Sequence, residues 1–196
     1  MGQYYDIINF DKNEILILSR ISAQKLWDYY HYREFDTALM NMLNGNWKGN
    51  EIIVLGDYAD SAEKGTLTYN MVQFLREKYH LSDISQDWTS DMAEQRGGDL
   101  EDLEIVGNYN NFNNLRYAVN HRKKQFIDTA KYPLKNDRVK TPLLLLLTVG
   151  NGYGMGDYHG NDENMVGIWA GDSKYITVHS DLPEDDTLKE IIPDFD

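Results

Sequence analysis

Cysteine is absent from the chain. That removes disulfides, thiolate nucleophiles and cysteine-ligated zinc from the chemistry it can use. Positive charge is scarce: 19 Lys and Arg stand against 32 Asp and Glu, for a formal charge of −13 over 196 residues. A direct nucleic-acid binder should be basic, so that class is disfavoured. An acidic surface favours basic protein partners, cations or plain solubility. Long apolar runs are missing too. The longest is the leucine run 143–147, far below the ~20 apolar residues that cross a bilayer. The opening MGQYYDIINF is a mixed polar strand pattern rather than a signal peptide. Met1-Gly2 lacks the Ser or Thr of a myristoylation motif, because Asp6 stands there. A cytoplasmic protein without a membrane partner is expected. No Ser-His-Asp order, HExxH or paired-carboxylate signature occurs, and His31, His80, His121 and His179 are scattered without a recognisable partner.

What is present is enough apolar residue for a core, at 41% of the chain with 12% aromatic, in a length that suits one large or two small domains. The chain is read as organised around residues 141–178, which run TPLLLLLTV, then GNGYGMGDYHGNDENMVGI, then WAGDSKYITV. Thr141 suits a helix N-cap, Pro142 the first helical position and Gly150 the stop, so a short buried helix over 142–149 is predicted. An earlier stretch, DTALMNMLNGNWKGNEIIV at 36–54, follows the same order. Asp36 takes the cap position of Thr141, Gly45-Asn46 matches Gly150-Asn151, and Trp47-Lys48-Gly49-Asn50 matches Trp169-Ala170-Gly171-Asp172. Upstream, 8–16 aligns with 119–127, both as strand, polar turn, strand. The two tryptophans read as core residues beside tight turns. The ordered set points to an internal duplication. Only the second copy carries an insertion, at 152–168, and loops held out by a scaffold are where function concentrates.

The fold class expected is α+β: antiparallel hairpins and strands with short helices, in two related halves. The first half is 1–107, an Asn-rich linker covers 108–115, and the second half is 116–196. In chain order, a hairpin over 3–18 turns at 11–13, Ser22 caps a helix, and Asp36 caps another. A buried strand follows at 52–55, and Thr68 then caps an amphipathic helix bearing Met71, Val72, Leu75 and Tyr79.

Charge is unevenly spread. Residues 82–107 hold eight acids (Asp83, Asp87, Asp91, Glu94, Asp99, Glu101, Asp102, Glu104) and one base, Arg96. Residues 116–140 reverse this, with eight bases and two acids, and the tail 181–196 has seven acids and one lysine. Pro183 and Pro193 limit regular structure in that tail. Carboxylates along a helix can imitate a row of phosphates, so Asp83, Asp87, Asp91, Glu94, Asp99, Glu101 and Asp102 are candidate contacts to a basic nucleic-acid-binding partner. A solvated helix face is the plainer alternative.

The insertion invites three functional readings. Its glycines could cradle phosphate, but no Lys or Ser/Thr follows in the phosphate-loop pattern and its acids would repel an anion. Asp157, His159, Asp162 and Glu163 could ligate a divalent metal. Tyr153, Met155 and Tyr158 are anchor-type residues for a protein interface. A self-packed loop is the fourth alternative. Asp57 and Asp172 are carboxylates that sequence alone does not bring together.

The segments MGQYYDIINFDKNE, WKGNEIIVLGDYAD and GIWAGDSKYITV resemble an uncharacterised bacterial and phage family with an MGQYY N-terminus and W-A-G-D and G-D-Y-A motifs. The first Trp motif departs from the pattern, with Lys48-Gly49-Asn50. The resemblance implies a prokaryotic or mobile-element origin and supplies no catalytic residues. By analogy with small acidic phage proteins, it suggests an inhibitor of host defence, of anti-CRISPR type. The expectation is a non-enzymatic acidic protein-binding protein that engages a basic effector. The alternatives are a metal-dependent enzyme or ligand-binding protein using the insertion, and a housekeeping protein whose acidity only solubilises. No cofactor other than a divalent metal is suggested.

Overall fold

A computed structural model describes residues 5–12, 14–16, 25–26, 33–56, 58–59, 62–79, 115–132, 142–153 and 157–195. The helix expected after Ser22 (apart from 25–26), the acidic stretch 82–107 and nearly all of the Asn-rich linker lie outside them, as does Asp57.

Strand β1 (Tyr5–Asn9) turns through exposed Asp11 and Lys12 into β2 (Glu14–Leu16). The backbone N–H of Lys12 donates to the side-chain oxygen of Asn9 at 3.1 Å, an Asx-type closure that suits a polar turn. After helix α1 (Arg33–Asn44) comes β3 (Ile52–Gly56), buried along its whole length. A continuous apolar run is what a strand covered on both faces requires. Ile52 and Val54 face the main core. Ile53 and Leu55 face a smaller cluster with Ile8, Phe10, Val149 and Val72, the last carried by helix α2 (Leu67–Tyr79).

A second hairpin opens the later part of the chain. β4 (Tyr117–Asn120) and β5 (Gln125–Asp128) form a hairpin over the exposed basic turn 121–124. Helix α3 (Pro142–Leu146) leads into β6 (Thr148–Val149). After the insertion come β7 (Ile176–His179) and β8 (Lys189–Glu190). Two mixed four-stranded sheets result, in the orders β2-β1-β3-β6 and β7-β4-β5-β8. In each, one edge strand joins in parallel, β6 on β3 and β8 on β5, and the other pairings are antiparallel. The α+β class is therefore observed.

Both sheets bury a face in one core. Leu143 to Leu147 are fully buried at its centre, with Tyr5, Ile7 and Trp47 from the first half and Trp169, Ile176 and Val178 from the second. Leu39, Met40 and Leu43 of α1 join the same cluster.

Three local expectations are corrected. The helix expected over 142–149 stops at Leu146. Leu147 offers its carbonyl to Val54 N at 3.3 Å, and Thr148 and Val149 leave as a strand beside Val54 and Leu55. An open sheet edge and two β-branched residues outweigh continuation of the helix. α1 begins at Arg33, so Asp36 lies within it rather than at its cap. In α2 the capping residue is Thr66, not Thr68: its hydroxyl accepts from Tyr69 N at 3.1 Å.

The two tryptophan turns share a bonding scheme. Trp47 N–H reaches Met42 O at 2.8 Å, and Trp169 N–H reaches Leu146 O at 2.8 Å. The indole N–H of Trp47 donates to Glu14 at 2.6 Å, and that of Trp169 to Gln125 at 2.9 Å. Asn9 donates to Asn50 as Asn120 donates to Asp172. The Lys12–Asn9 bond recurs as Lys123 N to Asn120 at 3.0 Å. Gly49 and Gly171 turn with φ of +73° and +78°. Strand registers correspond, with Asn9 opposite Glu14 and Ile52, and Asn120 opposite Gln125 and Ile176.

Candidate functional site

The same bonds shift the bounds of the insertion. Lys48 N bonds Gly45 O, and Ala170 N bonds Gly167 O. In that one bond Gly45 resembles Gly167 rather than Gly150, with which the sequence alignment paired it, although Gly167 has a positive φ and Gly45 does not. The additional residues begin immediately after α3 and include β6. The insertion is a crossover: it leaves the second half, adds a strand to the first sheet, and returns. Gly167 is required at the return. Its φ is +79°, and a Cβ there would lie 2.5 Å from the Thr148 carbonyl oxygen.

Beyond β6 the insertion is anchored inward. Asp157 is buried and accepts from the Tyr5 hydroxyl at 2.7 Å and from Gly152 N at 2.7 Å. Asn151 brackets Tyr158, accepting from its N–H at 2.8 Å and donating to its carbonyl at 3.1 Å. The Tyr158 ring is 4% exposed and meets Phe195 edge-on at 5.2 Å. The tail is tied to the loop as well, because Asp162 and Asp194 exchange bonds of 3.1 and 2.6 Å. Much of the insertion is therefore self-packed.

A cavity of about 220 Å³ remains where β6 ends. Val149, Gly150 and Asn151 form one wall, Thr68 in the first turn of α2 another, and Glu163, Asn164 and Gly167 close it. It lies at the carboxyl ends of the parallel pair β3 and β6, beside a helix N-terminus, where α/β sheets leave room for ligands. It is smaller than the ~300 Å³ of ordinary small-molecule pockets and has room for one side chain or a few waters.

Of three carboxylates near Tyr158, Glu163 lines this cavity. Asp162, Glu163 and Asp194 all act on the Tyr158 phenol, which burial first, then Asp194, Asp162 and Glu163, push up to about 12. Exposed His159 pairs with Glu163 at 3.2 Å.

The sequence-chosen residues thus separate into groups. Of the candidate metal ligands, Asp157 turns into the core, His159 and Glu163 stay together outside, and Asp162 turns to the tail. Among the described residues, no group of three His, Cys, Asp or Glu side chains is placed to hold one ion. Of the interface anchors, Tyr158 is inside the chain, Tyr153 is half-buried beside Thr66, and Met155 lies outside the described residues. The acidic row Asp83, Asp87, Asp91, Glu94, Asp99, Glu101 and Asp102 lies outside them too. Asp172 is a structural carboxylate, buried and held by Asn120, Arg122 and Lys123. Sequence reading missed the cavity wall made by Thr68, Asn164 and Gly167, since it depends on the crossover strand.

The chain matches no family model, no curated protein and no solved structure. Among the described residues, no helix is long and apolar enough to cross a membrane.

Proposed function

We propose that this protein is a non-enzymatic acidic binding protein that engages a partner with a basic surface through the rim formed by the insertion and the tail. The observation that carries this reading is the convergence of Asp162, Glu163 and Asp194 around Tyr158, with Glu163 also on the wall of the cavity. Negative potential focused at a concave site steers a cationic group toward it, and the cavity suits one lysine or arginine side chain of the partner. The charge of −13 extends the attraction over the molecule, and the acidic row at 83–102 would add to it. A basic nucleic-acid-binding effector is the partner class this selects, with the carboxylates standing in for phosphates. An anti-defence role in a phage or mobile element is the biological setting the family resemblance suggests.

The corresponding tryptophan turns, hairpin closures and registers support a further reading, that the halves descend from one duplicated unit. On that reading the insertion is the part the second copy acquired, first as a crossover and then as a binding rim.

Affinity capture from cells of the native host tests the function. The full chain should retain a basic partner at about 50 mM salt and release it at about 500 mM, where the Debye length falls to a few ångströms. The D162K/E163K variant should lose it, and a D87K/D91K/E94K variant measures the share of the acidic row. Retention indifferent to salt and to both variants overturns the proposal.

A further inference from the structure

Two histidines far apart in sequence meet at one hydroxyl. His179 and Thr177 alternate along β7, where Ile176 and Val178 face the core and the other two residues face outward. β7 is an outer strand of its sheet, paired with β4. The β4–β5 turn brings His121 alongside, fixed by its backbone N–H to Tyr175 O at 3.0 Å. The Nε2 of His121 lies 2.7 Å from Thr177 Oγ1, and the Nε2 of His179 lies 2.6 Å from the same oxygen. Both rings thus aim the same nitrogen at a single point, one from the β4–β5 turn and the other from β7 itself.

We propose that His121 and His179 form a two-histidine site for a borderline divalent transition-metal ion, of the Zn²⁺, Ni²⁺ or Cu²⁺ class. Imidazole nitrogen is the ligand these ions share, at a metal–nitrogen distance of about 2.0–2.1 Å. A threonine hydroxyl has one proton and two lone pairs. Between two neutral rings it donates to one Nε2 and accepts an N–H from the other. For an ion to bind, Thr177 must swing its hydroxyl away from the point both nitrogens face, because an ion at about 2.0–2.1 Å from Nε2 would overlap an oxygen held 2.6 and 2.7 Å from the two rings. The second ring must also move its proton from Nε2 to Nδ1. Water fills the remaining positions.

The surroundings of His179 favour the neutral ring that ligation needs. Burial first, then the charges of His121 and Lys48, hold His179 below the ordinary histidine range. Lys48 also opposes a bound cation. Asp185 acts the other way: its carboxyl is held down first by hydrogen bonds from Thr187, and the charges of Lys124 and His121 also reach it. The strand pairing of His179 with Tyr117 and the bond from His121 N–H to Tyr175 O fix both ligand backbones in advance, which limits what is lost in ordering them.

The site is distinct from the metal reading of the insertion, and the test separates the two. Zn²⁺ and Ni²⁺ are titrated into the full chain by calorimetry, with histidine ring signals followed by NMR. One ion per chain is expected, with the His121 and His179 ring signals shifting together. Affinity should fall at least tenfold in H121A and in H179A, and should stay unchanged in H159A. It should also weaken from pH 7.5 to 5.5 as the rings take up protons. His121 is exposed, so H121A should keep the wild-type melting profile, which guards against misreading an unfolded variant. No saturable uptake up to about millimolar metal, unchanged affinity in the double variant, or loss in H159A instead overturns the proposal.

Discussion

Gly49 and Gly167 adopt nearly the same backbone angle, at φ +73° and +79°, yet a side chain would meet different surroundings. At Gly49 nothing lies within 4 Å of an added Cβ, whereas at Gly167 the Thr148 carbonyl oxygen is 2.5 Å away. G49A should therefore lose only the left-handed penalty, about 1–2 kcal/mol. G167A adds a backbone clash that no rotamer change relieves, for about 3–4 kcal/mol in total. Urea unfolding of both variants checks the difference, and equal losses would contradict the close approach of the crossover. Asp128 makes a second residue-scale case. Arg116 holds it through bonds of 2.7 and 2.6 Å, and Ala130 N adds a third at 3.0 Å. These keep its carboxyl below the usual range, with the Arg116 bond as the largest cause, against burial. A depressed carboxyl stabilises the fold fully above its unfolded value of about 3.9. That contribution disappears as pH falls through the lower folded value. D128N should lower the melting temperature at pH 7 and lose part of the steep decline below about pH 4.

Elements were legible where local chemistry decided them. The buried strand at Ile52–Gly56, both hairpins and both tryptophan turns follow from apolar runs, polar turn residues and Gly-Asx pairs. What was not legible was settled by tertiary contact. Five leucines read as a helix running on to residue 149, because nothing local says that β3 has an open edge waiting for Thr148 and Val149. His121 and His179 looked scattered because their meeting depends on the pairing of β4 with β7. The start of α2 gives an element-scale prediction. Thr66 accepts from Tyr69 N, while Thr68 lies inside the helix and on the cavity wall. T66A should cost about 1 kcal/mol of stability and T68A much less, measured by thermal unfolding. The reverse order would return the cap to Thr68.

At the scale of the molecule, two similar hairpins and tryptophan turns would be compatible with two units that fold independently. The core argues otherwise. Leu143 to Leu147 contribute side chains to a cluster shared by Tyr5, Ile7 and Trp47 on one side and Trp169, Ile176 and Val178 on the other. The halves are also joined by backbone and polar groups. β6 extends the first sheet, and Ile52 N donates to Ser173 Oγ at 2.8 Å. Lys174 reaches both Asp11 and Glu51. Removing either half would expose the fully buried leucines, whose burial is worth roughly 1.5–3 kcal/mol per side chain. Neither half retains a closed core of its own, and unfolding should be a single transition. With fluorinated tryptophan in place of tryptophan, the resonances of Trp47 and Trp169 should vanish at the same urea concentration, each assigned by a Trp→Phe variant. If the Trp169 signal persisted after that of Trp47 was lost, the second half would hold its own core. The crossover would then be a tether between two folding units rather than part of one.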